Sequence, residues 1–465
     1  MTKVAGSAIM AAVVSIAAAA CSTTTTPECA ISEPAGSRGH GLRARRAEVG
    51  IAISPFAIDT SHMSRDEELR VGLGSYIANA TSDCGGCHSS PAGFLAGGTP
   101  FNVDASGHVV YARNLTTDPT TGLRMTQAEL RAVIRTGKDL HQDRTKQLVV
   151  MPWPIFRWMG DADIDALYAY LRTVPAVAND VPVGNKDGLA LPASTPFPGY
   201  YNDGDLERPL PPNRSSFDPA RGLAIAPLAT PPELHCDTRS DYALGSYIAN
   251  SMADCEGCHT HPDRTPAFKI NTSAYLLGGT VFDVPPPVQP VVGQVRSMSV
   301  NLKGEVHGFF NEPEDSFARF KAIITTGTHA DELPPRPLGW PMTIIAANLS
   351  NLIDEDLESV YTYVKHAPSI SGALDQERQS YARYCVADAS CNAGESCALA
   401  TSECVGSACG SELDCDACQT CTNGVCTAPV ATSACLAGTT AAAVAAIARR
   451  SWRGQVTAVL PVQRH

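Results

Sequence analysis

The chain has 465 residues, a formal net charge of −12, and 44% hydrophobic against 18% charged residues. At ~150 residues per domain this length predicts about three units, and the apolar content excludes wholesale disorder. The acidic surplus excludes nucleic acid as the main partner, because phosphate binding needs basic stripes.

The N-terminus reads as an export signal. Lys3 precedes an Ala-rich apolar run over residues 4–20, which predicts a signal peptide over 1–20 followed by Cys21. Ala18-Ala19-Ala20-Cys21 is similar to a bacterial lipoprotein box, so the expected location is the periplasm or cell envelope, with a lipid on Cys21 contacting the membrane. Ordinary cleavage before Cys21 is the alternative. The absence of a twin-arginine signal predicts export of the unfolded chain. Residues 21–60 are rich in Thr, Ser, Gly and Arg without periodicity and read as a flexible tether. Its arginines, Arg38, Arg43, Arg45 and Arg46, read as solvated, with contact to anionic lipid as the alternative.

An internal repeat dominates the chain beyond the tether. Gly72-Leu-Gly-Ser-Tyr-Ile-Ala-Asn-Ala-Thr-Ser-Asp-Cys-Gly-Gly-Cys-His88 matches Ala243-Leu-Gly-Ser-Tyr-Ile-Ala-Asn-Ser-Met-Ala-Asp-Cys-Glu-Gly-Cys-His259. Downstream, Gly97-Gly98-Thr99 answers Gly278-Gly279-Thr280, and Asn114-Leu115 answers Asn301-Leu302. Ile134-Arg-Thr-Gly137 answers Ile324-Thr-Thr-Gly327, and the segment from Asp161 to Tyr170 answers that from Asp354 to Tyr363. One unit is therefore present twice, over 61–181 and 236–370.

Each copy reads as helical. Leu69, Leu73, Tyr76, Ile77 and Ala80 recur at three- and four-residue steps, with Asp66, Glu67 and Glu68 in the first turn. A final helix carries Ile164, Leu167, Tyr168 and Leu171 on one face, with Asp161 as N-cap; the second copy repeats it after Asp354. The expected fold is all-α: two helical domains joined by a Pro-rich linker over 182–235.

Cys84-Gly-Gly-Cys87-His88 and Cys255-Glu-Gly-Cys258-His259 are both C-x-x-C-H, the spacing of covalent c-type haem attachment. Two thiols three positions apart lie on one face of a helical turn, where each adds across one haem vinyl group. The following His is carried under the ring toward iron. A thioredoxin-like C-x-x-C with a chance His is the competing reading, and duplication within a matched repeat weighs against it. Zinc fits poorly, since neither copy holds a second Cys/His pair at finger spacing.

On these motifs, the Gly/Tyr-bearing first helix and the Tyr-x-Tyr last helix, the chain resembles tandem dihaem members of the class I cytochrome c family over about residues 66–175 and 237–368. Asn114-Leu115-Thr116-Thr117-Asp118-Pro119 with Thr121-Gly122 is similar to a segment in cytochrome subunits of periplasmic alcohol and aldehyde dehydrogenases. Those subunits usually carry three haem motifs; this chain shows two. The resemblance implies two class I cytochrome c-like domains with two covalent haems c. Cys84, Cys87, Cys255 and Cys258 would bind haem, His88 and His259 would ligate iron, and a Met sulfur would be the second axial ligand. Met151 stands where the family places it, with Met125 and Met159 as alternatives. In the second copy Met342 follows the Thr-Gly landmark, but in the order Trp340-Pro341-Met342, and His307, His329 or an open position remain alternatives. Asn114 and Asn301 would either cap a loop or meet a haem propionate.

Over 371–436 the chain turns Cys-rich, with Cys385, Cys391, Cys397, Cys404, Cys409, Cys415, Cys418, Cys421, Cys426 and Cys435 among small residues. Such a segment builds no core and is expected to be a disulfide-rich tail of unreadable connectivity. Its C-x2-C-x2-C-x4-C run lacks the last spacing and the Pro of an iron–sulfur site. An Ala-rich extension over 437–465 closes the chain. Of seventeen cysteines, one is expected to carry lipid and four to carry haem. The remaining twelve, Cys29, Cys236 and the ten of the tail, are an even number that permits full pairing.

The expected function is non-enzymatic electron transfer in the bacterial envelope, from a periplasmic dehydrogenase to an oxidase or another cytochrome. A dihaem peroxidase, and an envelope-attached interaction protein acting through the tail, are the alternatives.

Overall fold

A computed structural model describes residues 41–102, 109–138, 148, 150–182, 209–212, 215–231, 234–260, 272–278, 280–283, 296–303, 316–329 and 336–368, with four short strands between 396 and 427. All of them fall within the unit Ile31–His465. The expected signal peptide, Cys21, and most of the linker and tail lie outside the described residues.

The helices that lead into the two C-x-x-C-H segments form as their patterns predict. Helix α2, Arg65–Tyr76, starts at Ser64, whose side chain and that of Glu67 close a capping box, with Asp66, Glu67 and Glu68 in the first turn. It continues as a π-helical turn, Ile77–Thr81. The counterpart α8, Cys236–Ser251, ends in the same wide geometry: Ser82 N–H bonds Ile77 O, and Ala253 N–H bonds Ile248 O, both at 2.9 Å. Cys236, the first residue of α8, is disulfide-bonded.

Each of these helices crosses the last helix of its own repeat: α2 against α6, Asp161–Leu171, and α8 against α12, Asp354–His366. The crossings need glycine. A Cβ on Gly74 would lie 1.9 Å from Ala166 O, and one on Gly245 would lie 1.9 Å from Ser359 O. Amide–phenol bonds fasten the crossings, from Asn79 to the Tyr170 hydroxyl at 3.1 Å and from Asn250 to the Tyr363 hydroxyl at 3.0 Å. The second tyrosine of each Tyr-x-Tyr is therefore a buried hydrogen-bond partner as well as core. The last helices start one residue away from the expected cap. Gly160 and Ile353 are the N-caps, and Asp161 and Asp354 are first-turn acids that favour the positive helix end.

Two helices stand where the sequence suggested tether and linker. Helix α1, Leu42–Ala52, packs on α2, and α7, Pro219–Ile225, packs on α8. Their contacts match: Ser75 Oγ donates to Gly50 O at 2.6 Å, and Ser246 Oγ donates to Gly222 O at 2.7 Å. A Cβ on Gly50 or Gly222 would sit 1.9 Å from the facing carbonyl, of Gly72 or Ala243. These interfaces are made by backbone at close range, so they leave little large-residue periodicity to read. A sequence signal does exist, since Gly50-Ile-Ala-Ile-Ser-Pro-Phe-Ala57 parallels Gly222-Leu-Ala-Ile-Ala-Pro-Leu-Ala229.

The remaining described elements of the first repeat are α3, Cys84–His88; the hairpin β1, Pro100–Asn102, with β2, Val109–Tyr111; α4, Gln127–Thr136; and α5, Trp153–Phe156. Those of the second are α9, Cys255–His259; β3, Val281–Asp283, with β4, Arg296–Met298; α10, Phe317–Thr326; β5, Thr328–His329, with β6, Arg336–Pro337; and α11, Met342–Leu349. The architecture is thus helix-rich with short antiparallel hairpins. In the tail, β7, Ser396–Ala398, pairs with β8, Glu403–Val405, and β9, Thr420–Thr422, with β10, Val425–Thr427. Their register sets Cys397 opposite Cys404 and Cys421 opposite Cys426. No helix among the described residues is long and apolar enough to cross a membrane.

Buried polar groups join the repeats. The Arg46 guanidinium, from α1, makes a two-pronged bond to Asp356 of α12 at 2.8 and 2.6 Å, with side chains 3% and 0% exposed. Such a pair is costly to break one-sidedly, by about 3–5 kcal/mol. Tyr76 donates to the same carboxylate at 2.7 Å and accepts from Ile353 N–H at 3.0 Å. In the mirrored arrangement Tyr247 donates to Asp163 of α6 and accepts from Gly160 N–H at 2.6 Å.

Gly245→Ala is expected to lower stability by about 2–3 kcal/mol, because α8 and α12 must separate. Gly41→Ala, with nothing within 4 Å of the added carbon, should cost less, about 1 kcal/mol or under, because it only weakens the N-cap of α1. Denaturant unfolding of the two variants checks this contrast.

Candidate functional site

Each C-x-x-C-H segment is a single helical turn whose start is an aspartate in the left-handed region. Asp83 has φ 45° and Asp254 φ 50°, a conformation that aspartate tolerates better than most residues. The carboxylate turns in to accept the N–H of Gly86 at 3.0 Å, or of Gly257 at 3.1 Å. A Cβ at Gly86 would stand 2.2 Å from Asp83 Oδ2, and one at Gly257 2.4 Å from Asp254 Oδ1. A side chain at the second intervening position of each motif would therefore displace the capping carboxylate. Spacing alone singles out only the Cys and His positions; the fuller signal is Asp-Cys-x-Gly-Cys-His, present twice.

The histidines are held by backbone. His88 Nδ1 lies 2.7 Å from Arg113 O, and His259 Nδ1 lies 2.8 Å from Val300 O. A carbonyl only accepts, so the proton sits on Nδ1 and Nε2 keeps its lone pair free for a metal. Burial lowers the pKa of both rings, that of His259 to about 4, against a smaller opposing effect of the carbonyl bond. Both imidazoles are neutral near pH 7, as a ligand must be. Glycines bring the carbonyls within reach. Gly97 (φ 72°) and Gly278 (φ 74°) donate to His88 O and His259 O at 2.7 and 2.6 Å. A Cβ there would meet the Arg113 or Val300 carbonyl carbon at 2.5 Å.

The four thiols are free. Burial pushes Cys84 up to about 12, Cys87 to about 11 and Cys255 to about 12, and raises Cys258 as well. A reactive redox C-x-x-C has the opposite character, a thiolate stabilised by positive surroundings. Neutral, apolar-packed thiols on one turn suit thioether formation.

The methionines differ between the repeats. Leu148 N–H bonds Gly137 O at 2.7 Å and Leu338 N–H bonds Gly327 O at 2.8 Å, so both methionine-bearing segments leave a matched anchor. Gly137 and Gly327 are left-handed caps of α4 and α10, at φ 63° and 65°. Met151 and Met342 are both part-buried against the core, whereas Met159 is fully buried core. Pro152 caps α5 and Pro341 caps α11, so by helix start Met342 occupies the place of Trp153, and Trp340 that of Met151. Helix α11 also has eight residues where α5 has four. Of the alternatives, Met125 is part-buried, His307 lies outside the described residues, and only the backbone of His329 is described, in β5.

Asn114 and Asn301 act as loop caps. Asn114 Oδ1 accepts from Thr116 N–H at 3.0 Å, and Asn301 Oδ1 accepts from Lys303 N–H at 2.9 Å. The structure offers a different donor: Trp153, two residues after Met151 and 3% exposed, has an indole N–H without a partner among the described residues. The residues fit a covalently bound haem: paired neutral thiols, an imidazole with a free Nε2, a part-buried thioether and, in the first repeat, an unsatisfied buried donor.

The two turns are capped unequally. Burial raises Asp83, against bonds from Gly86 N–H and from Asn348 of α11. Among the described residues Asp254 has only Gly257 N–H, and burial takes it up to about 7.

No protein-family model matches the chain. Among curated proteins it is similar to the cytochrome c subunit of a quinone alcohol dehydrogenase from Gluconacetobacter polyoxogenes, 27% identical over 311 residues, covering 64% of this chain and 56% of the relative. A fructose dehydrogenase cytochrome subunit from Gluconobacter japonicus is 25% identical over 308 residues, covering 64% and 53%. A gluconate 2-dehydrogenase cytochrome c subunit from Pantoea cypripedii is 27% identical over 304 residues, covering 63% and 59%. The chain thus spans little more than half the length of these relatives.

A raised folded-state pKa means that the stability Asp254 contributes is fully present below pH ~4 and is lost as pH rises through about 7. Asp254→Asn, which keeps an acceptor for Gly257 N–H, should flatten that dependence and gain stability at neutral pH. Unfolding at pH 5 and pH 8 for both proteins measures it.

Proposed function

We propose that this chain is a dihaem c-type cytochrome that carries electrons in the bacterial cell envelope between a dehydrogenase and a downstream acceptor. One observation carries the reading. Two C-x-x-C-H turns of one geometry each hold paired neutral thiols and a histidine whose Nδ1 is tied to a backbone carbonyl. Similarity to cytochrome subunits of dehydrogenases supports the electron-carrier role and makes a dehydrogenase the natural donor. An oxidase or another cytochrome is the corresponding acceptor.

In this reading Cys84 and Cys87 bind one haem and Cys255 and Cys258 the other. His88 with Met151, and His259 with Met342, supply the axial ligands. When bound, each haem supplies a one-electron iron centre. The protein's part is to hold neutral imidazoles at a fixed angle, to keep the thioether ligands, and to exclude water. A thioether ligand favours reduced iron and raises the potential. The organisation is a cytochrome unit over 61–181 and another over 236–370, each extended at its start by α1 or α7. The Cys-rich segment is a disulfide-stapled module. A lipid on Cys21 attaches the protein to the membrane, and mass spectrometry of the mature N-terminus should find it.

Met342 at the first position of α11, where the other repeat has a tryptophan, favours a second reading. A displaceable sulfur there would leave one iron accessible, as peroxidase chemistry needs. The two readings separate spectroscopically. A carrier shows the far-red Met-to-ferric-iron band for both centres, whereas peroxide turnover with a five-coordinate centre would reverse the ranking.

Haem analysis of the exported protein should find two haems per chain, falling to one in Cys84→Ser/Cys87→Ser. Met151→Ala and Met342→Ala should each remove about half of the far-red band and lower one midpoint potential. A wild-type protein with fewer than two haems would overturn the proposal.

A further inference from the structure

The contacts that join the repeats are reciprocal, and they involve the helices that carry the haem motifs. Tyr76 and Tyr247 occupy matching positions, each eight residues before the first Cys of its motif. Each reaches the other repeat's last helix. Tyr76 donates to Asp356 at 2.7 Å and accepts from Ile353 N–H; Tyr247 donates to Asp163 and accepts from Gly160 N–H. Asp163 and Asp356 are themselves matched, and both are fully buried. Burial, with the adjacent carboxylate, raises both phenols well above their ordinary range, so each remains a donor.

The rest of each carboxylate's solvation also comes from beyond its own helix. Arg46 pairs with Asp356 and lies 4.2 Å over the ring of Phe217. Ser216 Oγ and Phe217 N–H bond Asp163. The Phe217 ring packs between Tyr76 and Tyr247, at centroid distances of 6.0 and 6.2 Å. Further out, α11 packs against the π-helical turn of the first repeat, and its Asn348 bonds Asp83 at the start of the first haem turn. Helix α5 packs against α8 in the corresponding way.

We infer that Tyr76 and Tyr247 are positioning residues for electron transfer between the repeats. By bonding Asp356 and Asp163 across the interface, they set the separation and mutual orientation of the two C-x-x-C-H turns. The inference rests on the two-haem reading. The long-range contacts are short, buried and hydrogen-bonded at both ends, the condition under which buried polar groups give a unique geometry rather than a family of them. The two halves therefore act as one rigid unit, with a single inter-haem geometry.

The test is pulsed EPR of the fully oxidised holoprotein, which reads the inter-iron distance distribution, together with the inter-haem transfer rate after flash reduction. Haem content is measured first. Fewer than two haems in the wild type sinks the two-haem reading, independently of any distance. With two present, the wild type should show one narrow distance component. Tyr76→Phe/Tyr247→Phe should lose that component and slow the transfer while keeping both haems and their optical spectra. An unchanged distribution and rate in the double variant, or a broad distribution in the wild type, would overturn the inference. If the double variant fails to take up haem, Tyr247→Phe alone, which leaves the Arg46–Asp356–Tyr76 cluster intact, is read against the same two outcomes.

Discussion

Two buried carboxylates set the terms for this structure. Asp163 and Asp356 stand in the first turn of the last helix of each repeat and are removed from water. A buried charge is tolerated only when paired and fully hydrogen-bonded. Their own helices leave that demand unmet, and the partners come from elsewhere: a tyrosine of the other repeat in each case, then Arg46 for one and Ser216 with Phe217 N–H for the other. Burial of an acid in one repeat is thereby conditional on the presence of the other. The arrangement is nearly two-fold but not symmetric in charge, since Arg46 bonds Asp356 and serves Asp163 only at a distance.

The same economy of backbone governs the two C-x-x-C-H turns. A left-handed aspartate ends the preceding helix and begins a short one, and its carboxylate caps the new helix through a glycine that has no Cβ to obstruct it. A second glycine admits the carbonyl that fixes the histidine tautomer. Geometry of this kind leaves the thiols and the imidazole of each turn few alternative positions. The asymmetry at the caps, with Asn348 on Asp83 and no second described side chain on Asp254, gives the two turns different electrostatics on a common frame. The reversed Met151-Pro152-Trp153 and Trp340-Pro341-Met342 tripeptides carry that inequivalence to the methionine segments.

Legibility followed the physical origin of each feature. The repeated helices were readable because large apolar residues at helical spacing mark the buried faces of α2, α6, α8 and α12. The two C-x-x-C-H turns are legible because their spacing is local and occurs twice in a matched repeat. Helices α1 and α7 are not legible in the sequence as helical periodicity, because their interfaces are glycine-to-backbone contacts and the arginines of α1 suggest solvent. Arg46 was the clearest case. In sequence it belongs to a polar basic stretch; in the structure it is buried against an acid 310 residues away.

Duplication, helical class, the two C-x-x-C-H turns and the glycines that those turns require are all written in the chain itself, since each is a local consequence of spacing and steric allowance. Tertiary contacts were needed to fix which carbonyl orients each histidine, where Met342 stands relative to its counterpart, and how one repeat meets the other. Those depend on residues tens to hundreds of positions apart, and no local pattern encodes the partner of a buried charge.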